Sequence, residues 1–196
     1  MEATGTGSSN TDGSINTTST LVDTNLGMSI SEYVGTGSAA TVGHGLGVAP
    51  EFIMIKNLDQ DDHWLCYHSA VGNTKAFFLS LNNAVDDNSV YFNDTSPTST
   101  VFSLGSTEQA NSSSESHIAY SFAPSQFNAI GSYNGNGNAN GVFVPTVNSL
   151  GIPITPSWIM LKRTDAANAW AITDTGRTPT NPTSLILQGD LPNAEL

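Results

Sequence analysis

Positive charge is scarce. Lys56, Lys75, Lys162, Arg163 and Arg177 are the only Lys or Arg among 196 residues, against 17 carboxylates, for a net charge of −12. Tracking a phosphate backbone takes clustered Lys and Arg, so nucleic acid is not an expected partner. The acidic balance serves solubility and self-repulsion instead. Cysteine is nearly absent: Cys66 stands alone, which rules out an intrachain disulfide and a multi-cysteine zinc site. No apolar run approaches the ~20 residues of a membrane-spanning helix, so no membrane partner is expected. The opening MEATGTGSSN has neither a basic nor an apolar stretch, so a secretory signal is not expected either. Helical periodicity is also missing. No window of ten or more residues spaces its apolar side chains at i, i+3, i+4 and i+7.

What fills the chain is Ser, Thr, Asn and Gly around a hydrophobic share of 38%. These residues form Asx-turns, accept positive φ and compete with helical hydrogen bonding, so short strands joined by turns are expected. The run EFIMIKN at 51–57 is apolar and entered by Pro50, as suits a strand covered on both faces. Further strands are expected at 76–81, 90–93, 101–104 and 117–122, the last alternating Ile118, Tyr120 and Phe122 on one face. Turn signals separate them at Asp86, at Pro97 and over 111–116. Such spacing predicts an all-β fold, an antiparallel β-sandwich that is jelly-roll-like.

The chain also repeats itself. Tyr33, Gly35, Gly37 and Ala39 recur 100 residues later as Tyr133, Gly135, Gly137 and Ala139. After a six-residue insertion the offset is 106, matching Pro50 to Pro156, Ile53 to Ile159, Met54 to Met160, Lys56 to Lys162 and Trp64 to Trp170. Long-period self-similarity implies one supersecondary unit used twice, here a hairpin. Unit one is assigned to 29–127 and a truncated unit two to 128–196, because nothing in unit two answers the strands at 90–122. SLILQG is matched to AFFLSL as a third strand. Residues 1–28, rich in Gly, Ser, Thr and Asn, read as an extended arm lying on a neighbouring subunit.

Candidate chemistry is thin. Asp59, Asp61 and Asp62 alternate like ligands of a calcium loop, but lack its glycine bend and distal Glu, so a solvated hairpin tip is the simpler expectation and a metal the weaker one. His63 and His68 are an odd number of residues apart and fall on opposite strand faces, so they cannot share an ion. Cys66 is expected in a packed strand, and His44 has no visible partner. GHGLG at 43–47 precedes a proline and a strand rather than a helix, which makes it a turn and not a phosphate cradle. No nucleophile-elbow pattern is present. Trp64, Trp170, Tyr33 and Tyr133 are candidate glycan-stacking rings, yet their recurrence fits core building better.

The strings GHGLGVAPEFIMIKN, DDHWLCYHSAVGNTKAFFLSLN, YFNDTSPTSTVFSLGS, HIAYSFA, GSYNGNGNANGVFV and PSWIMLKRTDAANAWAITDT resemble a domain of virion structural proteins of tailed bacteriophages, marine ones especially. That domain is often found in tail-fibre-like or appendage proteins beside lectin-like modules. The resemblance covers about 29–196, and VNSLGIPITPSW is longer here than in such domains. It implies a non-enzymatic virion protein (tail fibre, appendage or head decoration) assembled in the host cytoplasm, with no cofactor and no catalytic residues. The partners it implies are other virion proteins and copies of itself, a trimer being favoured for a fibre. The alternative is a lectin-like module binding host surface glycan for attachment, and a polysaccharide depolymerase is a third option.

Overall fold

The computed structural model describes residues 6–138, 140–180 and 185–192. Expectations on 1–5, Ala139, Ser184 and 193–196 lie outside the described residues. The order of elements is β1 (Ser19–Asp23), β2 (Met28–Val34), β3 (Ala40–Gly43), β4 (Phe52–Asn57), β5 (Leu65–His68), β6 (Lys75–Phe78), β7 (Asp86–Asp87), β8 (Val101–Leu104), a one-turn helix α1 (Glu108–Asn111), β9 (Ser116–Phe122), β10 (Trp158–Leu161), β11 (Ala171–Asp174) and β12 (Leu187–Gln188). The expected strands at 51–57, 101–104 and 117–122 are present, each within a residue of its expected ends.

Seven strands form one antiparallel sheet in the order β1-β2-β9-β4-β5-β6-β7, β10-β11-β12 form a second sheet, and β3-β8 a two-stranded ribbon. Strand parity explains the layering. Tyr33, Ile53, Ile55, Leu65, Tyr67 and Ala119 pack with Val42, Phe102 and Leu104 of the ribbon and with Ile15. Phe52, Met54, Cys66 and Phe77 alternate with those side chains and pack with Met160 of β10 and with Trp170, which leads into β11. The large sheet is therefore sandwiched between the ribbon and the small sheet, an all-β antiparallel arrangement of packed layers. Seven strands in one sheet differ from the two four-stranded sheets of a jelly roll.

Three further expectations differ from the structure. The strand expected over 76–81 ends at Phe78, with a turn at 79–80. Residues 90–93 are turn, not strand, although Tyr91 and Phe92 are buried, because the loop delivers both rings to the core cluster. The N-terminal segment, from residue 6 on, lies on its own sheet rather than standing out as an arm. β1 pairs with β2 along its whole length, and Ile15 bridges Val42. The hydroxyls of Thr17, Thr20 and Ser31 bond in series, and Ser31 donates on to the Gly43 carbonyl. Composition alone points to an arm with no place on its own sheet, since it cannot show that these hydroxyls satisfy one another once buried.

Candidate interaction surface

The hairpins β4-β5 and β10-β11 share one register. Phe52 faces His68 and Ile53 faces Tyr67; 106 residues on, Trp158 faces Asp174 and Ile159 faces Thr173. The Ser69 amide bonds the Glu51 carbonyl at 2.8 Å, and the Thr175 amide bonds the Ser157 carbonyl at 3.0 Å. Lys56 and Lys162 each donate to the carbonyl of the following residue, at 2.8 and 2.9 Å. Gly45 and Gly151 hold φ of 71° and 74°, and Gly37 and Gly137 hold 71° and 66°, conformations that cost a side chain about 1–2 kcal/mol. The third strands correspond less simply. Phe77 lies opposite Cys66 and Leu187 opposite Ile172, so the match of SLILQG to AFFLSL is shifted by two residues. The added residues fall in the longer link between β11 and β12.

The cover over the two units differs. In unit one β9 pairs with the outer edge of β4 over six residues, and the ribbon closes the face carrying Ile53 and Ile55. In unit two the outer edge of β10 pairs with no strand among the described residues, and Leu161, the counterpart of Ile55, is exposed. Tyr33 is 1% exposed, stacks on His117 at 5.3 Å and donates to the Ala110 carbonyl, whereas Tyr133 is 50% exposed. Leu46 is 4% exposed and its counterpart Ile152 54%. Between Tyr133 and Ile152 in sequence, Val142, Phe143, Val144, Val147 and Leu150 face solvent, Phe143 at 90%. Each large apolar side chain left in water forgoes about 1.5–3 kcal/mol of burial. This run of exposed apolar side chains makes the loop a candidate interaction surface. Sequence reasoning located the incomplete unit but missed this loop, whose signal is the apolar density of GVFVPTV.

The inner side of unit two is well seated. Trp170 is 2% exposed; its indole Nε1–H donates to the Phe78 carbonyl at 2.9 Å and its ring meets Phe77 edge-on at 5.4 Å. Lys162 reaches the Asn82 carbonyl, and the Val85 amide bonds the Thr164 carbonyl just past β10.

The glycan candidates do not come together as a set. Tyr33 and Trp170 are core residues, which removes their rings from any sugar; Trp64 is half-buried beside Tyr120 at 6.1 Å, and Tyr133 is exposed elsewhere. Asp61 and Asp62 line a cleft of about 400 Å³ with Gln60, Glu108, Ser112 and Glu115. Its organiser is buried Asn57, whose amide donates to the Glu115 carboxylate at 2.7 Å while its Oδ1 accepts the Asp59 and Gln60 amides. Bonds from Asn57, then Ser112 and Gln60, hold the Glu115 carboxyl below its usual range. Asp59 is spent on the Ser116 amide. Among the described residues no three His, Cys, Asp or Glu are arranged to hold a metal ion, so the Asp59, Asp61 and Asp62 loop reads as a hydrogen-bonded turn. Burial pushes the Cys66 thiol far up, away from the thiolate that reactivity needs. His44, fully buried, accepts the Leu46 amide on Nδ1 and lies 3.2 Å from the Thr98 carbonyl through Nε2.

The chain belongs to a family described as a domain of unknown function, DUF7483, whose model matches residues 1–196. No curated protein and no solved structure matches it.

Proposed function

We propose that this chain is a non-enzymatic structural module of a tailed-phage particle, a tail fibre, appendage or head decoration, working through contacts between subunits. The observation that carries it lies in unit two: a β10 edge with no strand partner among the described residues, together with the exposed apolar residues of 142–150. Open strand edges are templates for another chain, and symmetric assembly is the ordinary way a multi-copy protein fills them. In this reading the shared hairpin register marks a duplicated unit whose second copy keeps its pairing and gives up its cover. The sequence resemblance to virion domains points the same way. Glycan recognition is less favoured, because two of its four candidate rings are buried.

Mass spectrometry of purified particles of the virus that encodes the chain tests the proposal. It predicts the chain in many copies per particle relative to the major capsid protein. Its absence from intact particles, while the chain accumulates in infected cells, overturns it.

A further inference from the structure

We infer that two copies of this chain join through β10, pairing Trp158–Leu161 antiparallel with itself across a two-fold axis to make one six-stranded sheet. This rests on the assembly reading and specifies its surface. Ladder parity shows that β10 is ready to pair. The Thr175–Ser157 bond and the β10-β11 register make Ile159 and Leu161 the residues bonded to β11, because hydrogen-bonded and non-bonded pairs alternate in an antiparallel ladder. The backbone N–H and C=O of Trp158 and Met160 therefore point outward. Their unit-one counterparts, Phe52 and Met54, point the same way and are taken by Phe122 and Tyr120 of β9.

The other edges leave β10 as its own best partner. β7 is two exposed aspartates, Asp86 and Asp87, a charged edge of the kind that repels pairing. β12 is two residues long. The free side of β1 is already bridged between Ser8 and Thr20. Lysine often guards an edge, but Lys162 is tied to the carbonyls of Asn82, Arg163 and Asn168 and does not guard this one.

Charge selects a second copy joined at this end. Of the 17 carboxylates, 13 precede residue 128 together with only two of the five cations. Unit two carries three cations and four carboxylates, and its Arg163–Asp165 and Arg177–Asp174 pairs are closed at 2.7 and 2.6 Å. Two strongly acidic chains meet with least repulsion through their near-neutral ends. A two-fold through β10 places the acidic halves apart. It sets the exposed Trp158, 57% accessible, on the same face of the joined sheet as Met160 of the second copy, and a two-fold between paired edges requires antiparallel strands.

Sedimentation equilibrium of the full chain over about 1 µM to 1 mM tests this, with Met160→Pro and Leu161→Lys. Proline at 160 removes an outward N–H without touching the β11 ladder; lysine at 161 puts a charge on the exposed outer face beside the edge. The expected result is a dimer of the 20.5 kDa chain that both variants convert to monomer while keeping the wild-type circular dichroism. Should Met160→Pro unfold, Leu161→Lys decides alone. Self-association that folded variants retain overturns the β10 contact and leaves assembly through another surface standing. A wild-type chain that stays monomeric throughout overturns this contact and removes self-assembly from the proposed function.

Discussion

Unit one and unit two set the same hairpin in two environments. β4-β5 and β10-β11 agree in register, in a lysine–carbonyl contact and in a left-handed glycine. Yet Ile55 is fully buried and its counterpart Leu161 exposed, and Tyr33 is buried where Tyr133 is not. Local sequence sets the pairing of a hairpin, while its burial depends on what the rest of the chain lays over it. Unit one receives β9 and the ribbon. Unit two receives unit one on a single face.

The comparison can be broken most sharply at Tyr33. Tyr33→Ala removes a buried ring, its stacking on His117 and its bond to the Ala110 carbonyl. A loss of about 3–5 kcal/mol is expected in urea unfolding, against less than about 0.5 kcal/mol for Tyr133→Ala. Equal effects would erase the distinction between the units.

The tryptophans reverse the order. Trp170→Ala should cost about 3–5 kcal/mol and release unit two, opening the β10-β11 hairpin to protease. Trp64→Ala, half-buried, should cost about 1–2 kcal/mol and leave that hairpin resistant. Cleavage at the same rate in both variants would contradict the docking of unit two through Trp170.

Acid should separate the units as well. All four histidines lie in unit one, and burial holds His44, His68 and His117 below the ordinary histidine range. Their unfolded forms take up protons first, so stability is complete above about pH 6.5 and declines as pH falls from there toward the folded values. In unit two, Asp174 is held below the usual carboxylate range by Arg177; its contribution is present above about pH 4 and is lost as pH falls through the folded value. Hydrogen exchange followed against pH should show unit one loosening first. Simultaneous loosening, or a flat profile to pH 5, would contradict the assignment.

The smallest contrast lies in the glycines. Gly151→Ala pays only for its φ, about 1 kcal/mol, since nothing stands within 4 Å of the added Cβ. Gly45→Ala would also meet Val22 at 2.9 Å and should cost more. Thermal melts of the two variants test the order.

Much of the sheet was legible because its signals are local. Pro50 and the apolar run after it marked β4, and Ile118, Tyr120 and Phe122 marked β9 by alternation. The repeat located β10 and β11 and showed that unit two has no counterpart of the strands at 90–122. The N-terminal segment was misjudged because Thr17, Thr20 and Ser31 look solvent-seeking until they bond one another. Tyr91 and Phe92 read as a strand because a buried loop and a buried strand carry the same apolar signal. The glycan set is split by tertiary packing alone: Trp64 and Trp170 occupy equivalent positions just before β5 and β11, and only Trp170 is sealed against Phe77 and Phe78.

Amide exchange at single residues, followed against chain concentration, bears most directly on the uncovered edge. The account predicts that Phe52 and Met54 stay protected at every concentration, while Trp158 and Met160 exchange freely in dilute solution and become protected as copies meet. Protection of Trp158 and Met160 in the dilute chain equal to that of Phe52 and Met54 would contradict it, since the edge would then already be filled.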